Sequence, residues 1–295
     1  MDKTSLDFKF FGGLEEQLRK ALAKRPGPRK VCFFPYIGGK FRLLKTLVPL
    51  IPPHRIFVEV FGGAANLLLN KPPSSTEVYN DLNGDLVNLF LVVRDNQRDF
   101  IERFKWVFYS RGLYKKWLDE PMPEDPVERA VRFYYILRCS FSGSYGASIR
   151  YKRQPGKPAP HTLWSALDDT EQISERLKNC YIECLDFRRC IKNWDTPETF
   201  FYLDPPYYGL QYYERKFSPK DHTELRETLG KTKGKWLLTY NDDPWVREAY
   251  EQFSITEARM TKAASYKSHG ERRTKFTNLI IANYPLPRSQ TLDGG

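Results

Sequence analysis

The sequence is poor in the residues that build metal centres and disulfide scaffolds. It has four scattered histidines and five cysteines, with no Cys-x-x-Cys pair. An odd set of isolated cysteines (Cys32, Cys139, Cys180, Cys184 and Cys190) argues against a disulfide framework and a zinc site, and fits a reducing compartment. No window approaches about eighteen uninterrupted apolar residues, which excludes a transmembrane helix. The amino terminus carries Asp2, Lys3, Asp7 and Lys9 and lacks the apolar stretch of a secretion signal, so a cytoplasmic protein is expected. Acidic residues are the minority charge: 36 stand against 47 Lys and Arg, a formal net charge of +11. Such a surplus suits a polyanion such as DNA or RNA as partner, or simply a charged surface, and placement has to decide. Across 295 residues, 41% are hydrophobic and 28% charged, enough to build a core without staples.

Residues 1–30 read as an appendage, with a short amphipathic helix over 14–23 and a breaker cluster at Arg25-Pro26-Gly27-Pro28. From residue 31 the pattern changes. Residues 56–60 (IFVEV) form a short apolar, β-branched run, followed by Gly62 and Gly63 and then by a helical pattern over 64–69. Strand, glycine turn and helix open a nucleotide-type α/β fold. Further strands are expected over 77–80, 199–203, 235–240 and 276–284, with helices over 221–230 and 244–252. This alternation predicts an α/β fold with a mainly parallel sheet and helices on both faces. The middle of the chain differs. From about 88 to 179 it is mostly helical, and no acidic residue occurs between Glu128 and Asp168. That window instead interleaves cations with Tyr134, Tyr135, Phe141, Tyr145 and Tyr151, a composition suited to gripping phosphates and approaching bases. The expected division is an appendage at 1–30, a catalytic part at 31–87 and 181–295, and an insert at 88–180.

Three motifs fall at predicted strand ends, the edge at which such sheets bind ligands. FVEVFGG at 57–63 ends in glycines that let a ligand approach the backbone. YNDLNGD at 79–85 places Asp81 one strand over, where a carboxylate can accept hydrogen bonds from a ribose. DPPYY at 204–208 follows a strand directly. Pro205 and Pro206 rigidify the turn, and their missing N–H groups leave carbonyl acceptors without local donors. Asp204 and the Pro205 carbonyl can hold the hydrogens of an amino group that must react, while Tyr207 offers a face for a planar base. GGK at 38–40 lacks the Walker spacing, so a P-loop is not expected.

Taken together the motifs resemble those of Dam-type DNA adenine-N6 methyltransferases, which use S-adenosylmethionine. FPYIGGK at 34–40, FVEVFGGAANLLL at 57–69, VYNDLNGDLVNLF at 78–90 and LDPPYY at 203–208 match in the family's order. ECLDF at 183–187, RCSFSGSYG at 138–146 and TNLIIANY at 277–284 are weaker echoes, and the resemblance spans about 31–284. It implies a Rossmann-like methyltransferase sheet with helices on both faces and an inserted, mainly helical target-recognition domain. It also implies transfer of a methyl group to N6 of adenine in double-stranded DNA, and the base must leave the stack to be reached. By position, Tyr36, Gly39, Lys40, Glu59, Phe61, Gly63, Asp81, Leu82, Asp186, Phe187 and Asp204 should border the cofactor, with Asp81 on the ribose hydroxyls and Asp186 and Phe187 on the adenine. Arg138, Ser142, Tyr145, Arg150, Lys152, Arg153, Arg272 and Arg273 are the expected DNA contacts. A monomer is expected, with a dimer permitted, and neither metal nor membrane is required. RNA adenine and cytosine-N4 methylation are the competing reactions, and a non-catalytic DNA-binding relative is the competing class. The intact Lys40, Asp81 and Asp204 favour an active enzyme. Two positions depart from the family's pattern: Ala65 stands where many members have glycine, and Asn278 where many have an acid.

Overall fold

The computed structural model describes residues 30–150, 163, 167–209, 217–261 and 275–287. The helix expected over 14–23, the Arg25–Pro28 cluster, and Lys152, Arg153, Arg272 and Arg273 lie outside the described residues. The chain divides into Met1–Val31 and Cys32–Gly295, and the fold is that of the second unit.

Seven strands occur among the described residues: β1 (Ile56–Glu59), β2 (Thr76–Asn80), β3 (Cys180–Glu183), β4 (Thr199–Leu203), β5 (Lys235–Asn241), β6 (Ser254–Thr261) and β7 (Lys275–Ala282). They form one sheet in the order β3-β2-β1-β4-β5-β7-β6. The first five are parallel, and β7 runs antiparallel to both of its neighbours. The sheet is therefore mixed, with its parallel part where the motifs lie. β4 is buried at every position, as its uninterrupted TFFYL run requires of a central parallel strand. β3 and β6 escape a reading based on apolar runs because they are edge strands. Tyr181 of β3 faces solvent, and β6 alternates polar with apolar residues.

The helices are α1 (Leu44–Leu47), α2 (Gly84–Asp95), α3 (Gln97–Phe104), α4 (Arg111–Asp119), α5 (Pro126–Cys139), α6 (Thr170–Leu177), α7 (Phe187–Trp194), α8 (Pro219–Lys231) and α9 (Pro244–Ala249). Their starts are chemically marked. Asp125 and Asp243 cap helices that begin with proline, and Ser218 and Asp221 form a reciprocal capping box at α8. Cys190 and Ile191 of α7, Leu225 and Leu229 of α8 and Val246 of α9 share a core with Val58, Phe201, Leu238 and Ile281 of the sheet. α2 packs against α5 and α6, and α5 also contacts α3 and α4, so the helices between β2 and β3 gather around the buried length of α5.

Residues 64–69 form successive turns, where the sequence pattern suggests a helix. The cause is local. Ala65 adopts a left-handed φ of +52°, and the Glu59 carboxyl accepts the Leu68 N–H at 2.9 Å. Side-chain capping and a broken backbone path replace the regular ladder. Ala65 is fully buried at this bend, the position where a glycine would carry no Cβ penalty.

The order in which strands join the sheet reverses between the parallel neighbours β1 and β4, opening a crevice at their carboxyl ends. Asn80 staples this edge: its side chain donates to the carbonyls of Val60 and Leu185 and accepts from the Leu185 N–H, all within 2.9–3.0 Å. Gly143, after α5, packs against the FPYIGGK segment with φ of +69°. A Cβ there would lie 2.1 Å from the Pro35 carbonyl oxygen. Gly146 has φ of +78° but open space around it. Gly143→Ala is therefore expected to cost about 2 kcal/mol or more, against about 1 kcal/mol for Gly146→Ala. Equal Tm values for the two variants in thermal unfolding would contradict this packing.

Candidate active site

The carboxyl ends of β1, β2 and β4 and the turn after β3 enclose a cavity of about 840 Å³. Its wall contains every residue expected to border a cofactor: Tyr36, Gly39, Lys40, Glu59, Phe61, Gly63, Asp81, Leu82, Asp186, Phe187 and Asp204. These residues come from five separate stretches of sequence, and the sheet edge brings them together. The glycine turn is shaped by close approach. A Cβ on Gly62 would sit 2.2 Å from the Tyr79 ring, and the Tyr79 hydroxyl donates to the Gly63 carbonyl at 2.9 Å. Asp81 locks onto this turn, accepting the Gly63 and Asn83 N–H groups at 2.8 Å each. Burial raises its pKa, while those backbone donors and the Leu82 N–H oppose the rise.

Asp204 ends β4 and faces Lys40 across the crevice. The Lys40 ammonium is 2.6 Å from Oδ1 and 2.7 Å from Oδ2, and it also donates to the Gly38 carbonyl at 2.7 Å. Thr239 on β5 donates its hydroxyl to Asp204 Oδ1 at 2.8 Å. Burial raises the Asp204 pKa, and the charge and hydrogen bond of Lys40 and the Thr239 bond pull it back. The Tyr207 ring stands with the Lys40 ammonium 4.7 Å from its centroid, and its hydroxyl donates to Asn278 Oδ1 at 2.7 Å. Tyr208 stacks on Trp245 at 4.5 Å and 7°. Pro206 lines the cavity, whereas the buried Pro205 and the half-buried Tyr207 are not among its lining residues.

Part of the cavity wall is aromatic. Phe61, Phe187 and Phe217 cluster with centroids 5.6–5.9 Å apart, forming an apolar wall suited to a planar ring. Asp186 caps α7, accepting the Arg188 N–H at 2.9 Å, and its carboxylate also binds the Arg188 guanidinium. Arg188 in turn pairs with Asp221 and Glu224. Sequence reading missed Phe217, Asn66, Thr239 and Arg129. Phe217 and Thr239 belong to no motif, and Arg129, on α5, reaches the cavity wall by pairing with Asp85 at 2.5 Å.

The expected DNA contacts are dispersed. Arg138 donates to the Phe33 carbonyl at 3.3 Å and lies over the Tyr134 ring. Tyr145 lines the cavity and stacks on Phe133 at 5.6 Å. Ser142 is exposed at a left-handed φ of +59°, and Arg150 is half-buried. Among the described residues, no group of three or more His, Cys, Asp or Glu is placed to hold a metal, and no helix is long and apolar enough to cross a membrane.

Residues 36–263 match the model of the D12 class N6 adenine-specific DNA methyltransferase family. A type II methyltransferase of Lactococcus lactis subsp. cremoris, M1.LlaDCHI, is 29% identical over 85% of this chain and 95% of its own. A DNA adenine methylase of Haemophilus influenzae is 26% identical over 90% and 96%. The type II methyltransferase M.CviBI of Paramecium bursaria Chlorella virus NC1A is 27% identical over 84% and 97%.

Glu59 gives the site a pH signature. Burial pushes its carboxyl up to about 8 from an ordinary 4.5, against the pull of the Leu67 and Leu68 N–H groups. The folded protein keeps a proton that the unfolded chain loses, so this contribution is full at low pH and is lost as pH rises through about 8. Glu59→Gln is expected to flatten the decline in Tm between about pH 5 and pH 8. Parallel Tm–pH curves for wild type and variant would contradict a buried, protonated Glu59.

Proposed function

Because the chain belongs to the D12 class of N6 adenine-specific DNA methyltransferases, we propose that its cavity takes S-adenosylmethionine and that its DPPY turn receives an adenine flipped out of duplex DNA. The reaction is methylation of adenine in DNA at N6. The observation that carries the site assignment is the convergence of the glycine turn, Asp81, the phenyl cluster and Asp204 on one cavity. Its volume of about 840 Å³ suits a nucleoside-sized ligand with space beside it. The wall is also chemically incomplete. Asn66 is 8% exposed and its Oδ1 has no partner among the described residues, an acceptor suited to an ammonium group.

In this reading Asp81 accepts the ribose hydroxyls, while Phe61, Phe187 and Phe217 receive the cofactor's adenine. Tyr36, Gly39, Lys40 and Asn66 border its amino-acid end. The cofactor, when bound, supplies an electrophilic methyl group on a sulfonium that departs as a neutral thioether. The protein's task is to make a poor nucleophile reactive, because the lone pair of the adenine amino nitrogen is delocalised into the ring. Asp204 and the Pro205 carbonyl accept the two amino hydrogens and favour a pyramidal nitrogen. Lys40 and Thr239 hold the Asp204 carboxylate in one rotamer, so the acceptors are preorganised. Tyr207, fixed through Asn278, provides the stacking face for the extruded base. Residues 31–87 and 181–295 form the catalytic part, and the helices within 88–180 read the DNA. The protein acts as a monomer.

Incubation with duplex DNA and S-adenosylmethionine carrying a labelled methyl group is expected to yield label in N6-methyladenine. Label confined to RNA or to N4-methylcytosine would contradict the reading. Asp204→Ala should lower methyl transfer about a thousandfold or more while DNA binding persists. Asp81→Ala should raise the cofactor Kd at least about tenfold, measured by calorimetry without DNA. An unchanged Kd would remove Asp81 from the ribose site.

A further inference from the structure

The segment between α3 and α4 carries two large aromatic side chains in water. Trp106 is 80% exposed and Phe108 is 67% exposed, while Val107 between them is buried. The chain leaves α3 through a hydrogen-bonded turn, in which Val107 N–H reaches the Phe104 carbonyl at 3.0 Å, and the buried Val107 anchors the segment between its two exposed neighbours. The anchor is reinforced from below. The buried Tyr135 hydroxyl accepts the Ser110 N–H at 3.1 Å and shares its one hydrogen between the carbonyls of Ser110 and Phe108, at 3.0 and 3.2 Å. Two exposed rings on a pinned backbone cost little further ordering when they meet a partner.

Along the chain, the charges on either side of the two rings are cations. From residue 103 to residue 118 the chain has five cations and no acid. Arg103, Lys105, Arg111, Lys115 and Lys116 are all exposed. Arg103 and Lys105 pair with Asp125 and Glu102, and Lys116 lies 3.8 Å from Glu120. Exposed pairs of this kind are weak, and a phosphate can replace the acid. A second stretch without acids, residues 129–167, carries seven more cations. The fold joins the two. Tyr109 donates its hydroxyl to the Arg150 carbonyl, and Tyr114 donates to the Ala147 carbonyl at 2.5 Å. Two stretches separate in sequence thus brace one another.

We infer that Trp106 and Phe108 form an apolar contact to duplex DNA outside the catalytic pocket, with the surrounding cations on the phosphates. The inference rests on the reading of the chain as a DNA methyltransferase and adds a docking surface to it. Phosphate contacts position a duplex, whereas aromatic rings pack on deoxyribose and base edges, so the two residue classes have separable effects.

The test uses the full chain. Trp106→Ala with Phe108→Ala is expected to raise the KM for duplex DNA about tenfold, leaving the Kd for S-adenosylmethionine, the Tm and the monomer mass in sedimentation unchanged. The dependence of log Kd on log salt should keep its wild-type slope. Lys115→Ala with Lys116→Ala should reduce that slope by about one to two. An unchanged KM in the double aromatic variant overturns the inference. So does a wild-type protein that self-associates through these rings, dissociates in the variant and methylates DNA with the same KM. If wild-type protein fails to methylate DNA at all, the parent reading fails instead, which keeps the two failures distinct.

Discussion

The buried contact between Lys40 and Asp204 is the constraint on which the site depends. Lys40 is 5% exposed and Asp204 16%, and the ammonium reaches both carboxylate oxygens. Removing one partner from such a pair typically costs about 3–5 kcal/mol, because the other charge is stranded. The pair joins a segment that precedes β1 to the end of β4, across 164 residues of sequence. It also draws Tyr207 into place, since the same ammonium lies over that ring. Thr239 completes the restraint from β5. The Asp204 carboxylate is thus held between two elements, the segment carrying Lys40 and β5, before any ligand arrives.

Around that pair the cavity divides by polarity. Next to Asp204 stand Lys40, Gly39 and an unsatisfied Asn66. Three phenyl rings make an apolar part of the wall, and Asp81 lies at the glycine turn. In the proposed reading, the ammonium, ribose and purine of the cofactor each meet a group of matching chemistry in this wall. The segment between β2 and β3 contributes Met122, Arg129, Phe133 and Tyr145 to the cavity wall. The Arg129–Asp85 pair links that side to the start of α2, so α5 and the segment after β2 share this wall.

Much of this was legible in the sequence where one physical rule dominates. The strands containing IFVE and TFFYL are central and buried, and continuous apolar runs report that directly. The motifs end strands, so their residues reach one edge whatever the loops do. Legibility failed where tertiary context outweighs local pattern. β3 and β6 are edge strands without a continuous apolar signal. Residues 64–69 have helical periodicity, but Ala65 turns left-handed and Glu59 takes the amide hydrogens. Thr239 and Phe217 sit in the site because of register and loop path, which no short motif encodes. The departures at Ala65 and Asn278 show how the fold accommodates them. Ala65 is buried in a strained turn, and Asn278 keeps an acceptor for the Tyr207 hydroxyl without bringing a charge.

The most direct measurement is the pH–rate profile of single-turnover methyl transfer, compared between wild type and Lys40→Gln at saturating DNA and S-adenosylmethionine. Burial raises the Asp204 pKa and Lys40 lowers it, so loss of the ammonium leaves the carboxyl easier to protonate. In the proposed mechanism the adenine amino group needs an acceptor oxygen on Asp204, which protonation of the carboxylate weakens. The account predicts that the acidic limb of the profile moves to higher pH in the variant. An acidic limb at the wild-type pH, with the rate preserved, would show that Lys40 does not hold Asp204 in its working state and would contradict the account at its centre.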